Sequence, residues 1–266
     1  MKHIKALVAL MISLFLLSNT AQGSVMIAPT RAVLTDKNRS KELTLINSSD
    51  EPQTFRISIV NMRLLPDGKM EEILSPDENA PFANALVRFS PRQITLEPHS
   101  NQAVRVQARI PAGLPEGEYR CVMKFSQVPN ETITKPEIDT KEISISITAL
   151  TAISIPVIVR HGNLSATAGI SCEAKKDMSA LNCKITREGT ASIYGNLTAK
   201  YIPLSGKGSV VALMNGLAVY VGLDRRDIAL PIVLPPTVNL STGKLEIVFT
   251  DSPSNKVLAS ANVSIP

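Results

Sequence analysis

From Lys141 to Arg160 the chain reads K-E-I-S-I-S-I-T-A-L-T-A-I-S-I-P-V-I-V-R, an alternation with the two-residue period of a β-strand. Successive strand side chains point to opposite faces, so Ile143, Ile145, Ile147, Ile153 and Ile155 fall on one face. Ser144, Ser146, Thr148 and Ser154 fall on the other, where only Leu150 and Ala152 interrupt the polar row. At roughly 3.3 Å per residue such an element extends about 50 Å or more, against a usual strand of about 5 to 6 residues. A strand this long has more apolar edge than one small domain needs, and it is able to fill another protein's core.

The rest of the chain repeats the pattern in shorter units. Val, Ile and Thr alternate with polar residues, and turn signals such as Pro66-Asp67-Gly68, Glu97-Pro98-His99 and Asn215-Gly216 recur at short intervals. The fold class is therefore all-β. Strands are predicted at 25–34, 41–47, 53–62, 85–88, 102–109, 117–127 and 141–160, enough for one immunoglobulin-like sandwich. After His161-Gly162-Asn163 the pattern restarts at 165–172, 180–187, 192–202, 209–214, 217–222, 227–234, 244–250 and 256–264, which predicts a second sandwich. Asn215-Gly216, between V-V-A-L-M and L-A-V-Y-V, predicts a type I′ hairpin, because both turn positions need positive φ. The domains expected are 24–160 and 163–266, joined by a short hinge that leaves a cleft between them. Gln127 to Thr140, with Pro129 and Pro136, reads as a loop before the long strand.

Residues 1–23 combine Lys2 and Lys5, an apolar run from Ala6 to Leu17, and small residues at Ala21 and Gly23, the pattern of a cleaved secretory signal. The apolar run is shorter than the roughly 20 residues a membrane anchor needs. Removing the leader's two lysines from the 28 Lys and Arg leaves 26 against 23 Asp and Glu, with no basic block, so nothing points to nucleic acid. Export and their closeness in sequence favour a Cys172–Cys183 disulfide stapling a hairpin. Cys121 shares a strand face with Tyr119, Met123 and Phe125 and is expected as a buried, inert thiol.

Catalytic signatures are missing. Beyond the leader the histidines are His99, in a P-H-S-N turn, and His161, at the hinge; both read as solvated turn residues. No H-E-x-x-H, C-x-x-C or G-x-S-x-G occurs, and S-G-K-G-S at 205–209 lacks the ends of a phosphate loop. No metal site, cofactor or catalytic residue is expected, and the chain is read as a non-enzyme.

Several segments resemble the PapD-like periplasmic chaperones of the chaperone–usher pilus pathway. S-V-M-I-A-P-T-R-A-V-L is similar to the family's first strand, and F-S-P-R-Q-I-T-L-E-P-H-S-N-Q-A-V-R-V carries its P-x-x-x-x-L-x-P spacing. G-E-Y-R-C-V-M-K-F and I-S-I-P-V-I-V-R look more like the archaic branch than the well-studied one. The resemblance covers the first domain by sequence and the second by architecture. It implies two immunoglobulin-like sandwiches in an L around a cleft, and a chaperone in the periplasm that binds pilus subunits of incomplete fold and delivers them to an outer-membrane usher.

In that family the chaperone's strand G adds to a subunit that lacks its own last strand. The resemblance thus assigns Ile143, Ile145, Ile147, Ala149 and Thr151 as the donated row; each isoleucine fully buried would contribute about 1.5 to 3 kcal/mol before ordering costs. The alternative is that the row packs only into its own sandwich. The family also anchors the subunit's terminal carboxylate on basic residues. Arg31 matches the first-strand arginine, Pro156 stands where the well-studied branch has a lysine, and Arg120 is the candidate replacement, with Arg160 at the hinge a further one. Arginine suits the role through its bidentate fork. Nothing implies membrane insertion after the leader is removed, and the exposed strand would let subunit-free copies self-associate. A secreted two-domain adhesin or structural subunit is the competing reading, and a carbohydrate-active enzyme the third. If the row is donated, Ile145→Asp abolishes protection of the subunit in the periplasm while the chain still folds; protection retained by the variant excludes donation.

Overall fold

The computed structural model describes residues 25–75, 81–129, 150–236, 238, 240 and 242–265, in which the regular structure is all strand. The proposed leader, together with Ile143, Ile145, Ile147 and Ala149, lies outside the described residues. The first sandwich contains β1 (Met26–Ala28), β2 (Ala32–Thr35), β3 (Ser40–Ile46), β4 (Gln53–Val60), β5 (Met62–Leu64) and β6 (Met70–Glu72). It continues with β7 (Val87–Ser90), β8 (Gln93–Leu96), β9 (Asn101–Ala108), β10 (Gly117–Val128) and β11 (Ala152–His161). One sheet has the order β1-β3-β9-β7 and the other β2-β11-β10-β4-β8, while β5 and β6 form a separate hairpin. This is an immunoglobulin-like arrangement.

Alternation explains the core. Leu43 and Leu45 of β3 and Val104 and Val106 of β9 face Phe55 and Ile57 of β4, Cys121, Met123 and Phe125 of β10, and Ile155, Val157 and Val159 of β11 across the sandwich, all buried in one cluster. Cys121 is 1 % exposed, and burial pushes its thiol up to about 12, so it stays an unreactive SH. The run expected as one strand at 25–34 is two, because the chain leaves the first sheet after Ala28 and enters the second at Ala32. Pro29 lacks the N–H a continuing ladder would need. Pro91 stands at the same kind of crossing between β7 and β8.

The second sandwich contains β12 (Ala166–Ala174), β13 (Ala180–Gly189), β14 (Ile193–Pro203), β15 (Ser209–Val219), β16 (Arg225–Pro231), β17 (Gly243–Asp251) and β18 (Val257–Ile265). Its sheets run β12-β13-β16 and β15-β14-β17-β18 around Leu181, Ile185, Leu197, Ile247 and Phe249. Cys172 and Cys183 stand directly opposite each other in β12 and β13 and are bonded. The hairpin expected at Asn215-Gly216 is instead a bulge. β15 runs through it, with Leu197↔Met214 and Gly195↔Leu217 on either side, so the pair opposes Asn196 alone. Gly216 takes φ 72° and donates its N–H to Asn196 Oδ1 at 3.1 Å. The positive φ was legible; β14 is long enough to pair with both halves, so the chain does not turn back.

The linker is held by two carboxylates of the first sandwich. Asp36 accepts from Gly162 N (2.9 Å) and pairs with His161 Nδ1 (2.8 Å), and Glu116 accepts from Asn163 N (3.4 Å). Gly162 has φ 84°, and a Cβ there would lie 2.4 Å from Glu116, so only glycine fits. His99 sits in its exposed turn with Nε2 2.8 Å from Asp50. The Gly162 N–H, followed by His161, holds the Asp36 carboxyl below its usual range. A depressed carboxyl contributes stability that is present above its unfolded pKa and is lost as pH falls through the folded value. The protection of the Gly162 amide, its exchange rate relative to the intrinsic rate at each pH, should therefore fall on acidification below about 3.9, the ordinary aspartate value. Protection unchanged through that range would rule out Asp36 as the latch.

Candidate functional site

Because Ala32 and Leu34, Val157 and Val159, and Tyr119 and Cys121 turn into the first core, the intervening residues of β2, β11 and β10 face the second sandwich. The register sets Glu118 beside Arg160, and Val33, Ile158 and Arg120 in one row. Arg31 precedes β2 on the same face. All three arginines expected as site residues thus come to the domain junction. Between them lies a small apolar cluster of Leu64, Ile158, Ala218 and Tyr220.

Their partners differ. Arg160 Nε donates to Glu118 Oε2 at 3.0 Å, and its Nη2 donates to Ser192 O at 3.1 Å. The same Glu118 oxygen accepts from Ser192 N (3.0 Å) and Oγ (2.9 Å), so a carboxylate only 1 % exposed is tied to the turn before β14. Arg160 is therefore a clamp between sandwiches. Arg120 donates Nη2 to Met62 O at 2.8 Å and lies 4.0 Å from the centroid of the Tyr220 ring, while its buried Nη1 has no partner among the described residues. Its main chain is fixed by Arg120 N to Pro81 O (2.9 Å) and Ala83 N to Arg120 O (3.0 Å).

Arg31 is the outlier. Its Nε, Nη1 and Nη2 are all buried without a hydrogen-bond acceptor among the described residues. The guanidinium lies 4.2 Å from the Tyr194 ring and 6.0 Å from the Tyr220 ring, and burial lowers its pKa from the ordinary value. It lines a cleft of about 690 Å³ between the sandwiches, with Lys41, Arg160, Leu164, Tyr194 and Asp251 among the walls. Stacking offsets only part of the desolvation of such a buried cation, so among the described residues its N–H donors are left unsatisfied.

The strand edges lead to the same place. β2 pairs in parallel with β11 only from Val157 to Arg160, and among the described residues no strand pairs with β11 on that side from Ala152 to Pro156. Among the described residues β1 is the edge of the facing sheet, paired only with β3. In the second sandwich, by contrast, the first strand β12 packs along the last strand β18. Of the row expected to be donated, Thr151 is described: it is exposed, its N–H donates to Gln127 Oε1 (3.1 Å), and its carbonyl accepts from Gln127 N (2.9 Å). Ile153 and Ile155, of the same parity, pack into the first core.

Glu118, Ser192, Tyr194 and Tyr220 did not stand out in the sequence, nor did the β5–β6 hairpin beyond its Pro66-Asp67-Gly68 turn. The hairpin braces the junction: Pro66 O accepts from Asp227 N at 2.8 Å, and Leu64 enters the cluster around Tyr220. Only Glu118 had a signal, sharing the parity of Arg120 on β10.

No protein-family model matches the chain, and no curated protein matches it. Solved structures do. Over 91 % of this chain and 98 % of the other, it is similar to the CsuC–CsuE chaperone–tip adhesion subunit pre-assembly complex from the archaic chaperone–usher Csu pili of Acinetobacter baumannii, at 11 % identity and TM-score 0.47. It is similar to the Pseudomonas aeruginosa CupB2 chaperone at 12 % identity and TM-score 0.46, covering 91 % of this chain and 100 % of that one. A third likeness is to the Salmonella enterica SafA pilin in complex with the SafB chaperone, at 13 % identity and TM-score 0.46, covering 92 % and 98 %.

Removing Glu118 leaves Arg160 Nε and the Ser192 donors without their acceptor. Since Arg160 remains 32 % exposed, Glu118→Ala should cost about 2 to 3 kcal/mol, below the full cost of a fully buried pair. Calorimetry should resolve two transitions as the sandwiches decouple. An unchanged single transition would show that the clamp does not couple them.

Proposed function

We propose that this protein is a pilus-subunit chaperone of the PapD-like kind, which caps an incomplete immunoglobulin-like subunit by lending it a strand. The observation that carries the reading is Arg31, a buried guanidinium without an acceptor among the described residues, at the point where the free edge of β11 ends. A guest strand added along β11 from Ala152 to Pro156 runs into β2 at Ala32 and must stop there. Its terminus then meets Arg31. If that terminus is a carboxylate, the guest strand runs toward Arg31 in the direction of β11, and the pairing is parallel. The ladder supplies backbone hydrogen bonds, alternate side chains fill the groove between the β1 and β11 edges, and the ion pair sets the register.

In this reading Ile143, Ile145, Ile147, Ala149 and Thr151 extend the donated edge away from the cleft, so several subunit pockets fill at once. Arg120 supports Tyr220 and Arg160 holds the domain angle, leaving Arg31 as the principal contact for the anion. The leader read at residues 1–23 would place the chaperone in the periplasm, from which the capped subunit passes to an outer-membrane usher. No nucleotide or cofactor is required, because binding supplies the missing strand.

The test is co-expression with the subunit of the same operon, followed by recovery of a one-to-one complex from the periplasm. Arg31→Ala should weaken the complex at least about tenfold, as expected for loss of a charge-assisted hydrogen-bonded pair. Amidating the subunit's C-terminus should weaken binding to the wild type similarly and add nothing in the variant. Equal affinity of Arg31→Ala and wild type would exclude the carboxylate anchor, and no complex with wild type would return the adhesin reading.

A further inference from the structure

We propose that a second pocket at the domain junction, sharing no wall residue with the Arg31 cleft, binds a small amphipathic carboxylic acid. The pocket encloses about 180 Å³, and its lining includes Met62, Ile73, Phe82, Glu118, Arg120 and Val221. It is far smaller than the cleft and does not include Arg31, Arg160 or Tyr194. With a water's share of liquid volume at about 30 Å³, the space matches on the order of six waters, or an acid with a short alkyl chain.

Three features select that chemistry. Arg120 is anchored through Nη2 to Met62 O and through its main chain to Pro81 and Ala83, so its position is set before any ligand arrives. Its Nη1 is buried and has no acceptor among the described residues, which leaves a charged donor in the wall unsatisfied by them. Met62, Ile73, Phe82 and Val221 supply apolar surface beside it, the combination of greasy wall and few fixed polar groups that characterises small-molecule sites. Glu118 also lines the pocket, but its carboxylate is already engaged by Arg160 and Ser192, while Arg63 adds a second positive charge. A cation would therefore be repelled on balance, and a purely apolar ligand would leave Nη1 unpaired. A carboxylate on Arg120 with its alkyl chain against Met62 and Phe82 satisfies both.

The full chain with isotope-labelled methionine methyls and backbone amides can be titrated with hexanoate, using 1-hexanol as the uncharged control. The expected result is a saturable shift of the Met62 methyl and the Val221 amide with hexanoate. Binding should be at least about tenfold weaker for hexanol and for Arg120→Gln, since each removes one side of the charge-assisted contact. Ile73→Trp, which fills the pocket from its rim and leaves Arg120 in place, should abolish the shift, and it decides the question if Arg120→Gln fails to fold. No shift at millimolar hexanoate overturns the proposal. So does a shift confined to Leu164 and Tyr194 that survives Ile73→Trp, which locates the acid in the cleft.

Discussion

The Glu118 carboxylate is the constraint on which the junction depends. A carboxylate this deeply buried is tolerable only if its lone pairs are filled, and here one arginine and one serine supply the donors from opposite sides of the hinge. Neither sandwich completes the site alone, so closing the junction and satisfying the carboxylate are the same event. The linker adds a second set of ties through Asp36 and Glu116, and the β5–β6 hairpin a third through Pro66. Three separated attachments resist rotation about the hinge in a way that one would not.

With the angle fixed, guanidinium groups can be kept in the junction without pairing all of them. Arg160 is neutralised by Glu118. Arg120 is half satisfied by the Met62 carbonyl and lies against Tyr220, and among the described residues Arg31 has only aromatic faces. Ring stacking contributes about 0.5 to 2 kcal/mol, well short of what burial of a charged fork costs. The structure thus holds its arginines in a graded series from fully paired to unpaired, and the unpaired end opens on the cleft. An anion gains most where the protein has supplied least.

Strand parity made much of this legible. The alternation in G-E-Y-R-C-V-M-K-F puts Cys121, Met123 and Phe125 in the core and sends Arg120 outward, and the same rule puts Ile155 inside and Arg160 at the junction. Parity fails where the chain changes sheet or slips register. Nothing in V-M-I-A-P-T-R-A-V-L distinguishes one strand from two except a proline, and Asn215-Gly216 satisfies a hairpin and a bulge equally. Tyr194 and Tyr220 were invisible for a different reason: each is an ordinary strand residue of the second sandwich, and its role exists only once Arg31 and Arg120 arrive from the first. Contacts between domains leave no period in the sequence.

The two sandwiches solve the same edge problem differently. In the second, β12 lies along β18, and the seam between first and last strands is covered by the domain's own chain. In the first, β2 covers only the lower part of β11, because the first strand is divided and its upper half, β1, belongs to the other sheet. An exposed strand edge beside an apolar core invites association with any unpaired strand, and folded proteins ordinarily cover it. Keeping the edge open while closing its lower end with β2 and placing Arg31 at that end turns a general hazard into a selective one. On the proposed reading, a strand that adds there must end where β2 begins and is favoured when its end carries negative charge. The division of one strand at Pro29 therefore sets both the length of the free edge and the position of the charge that terminates it.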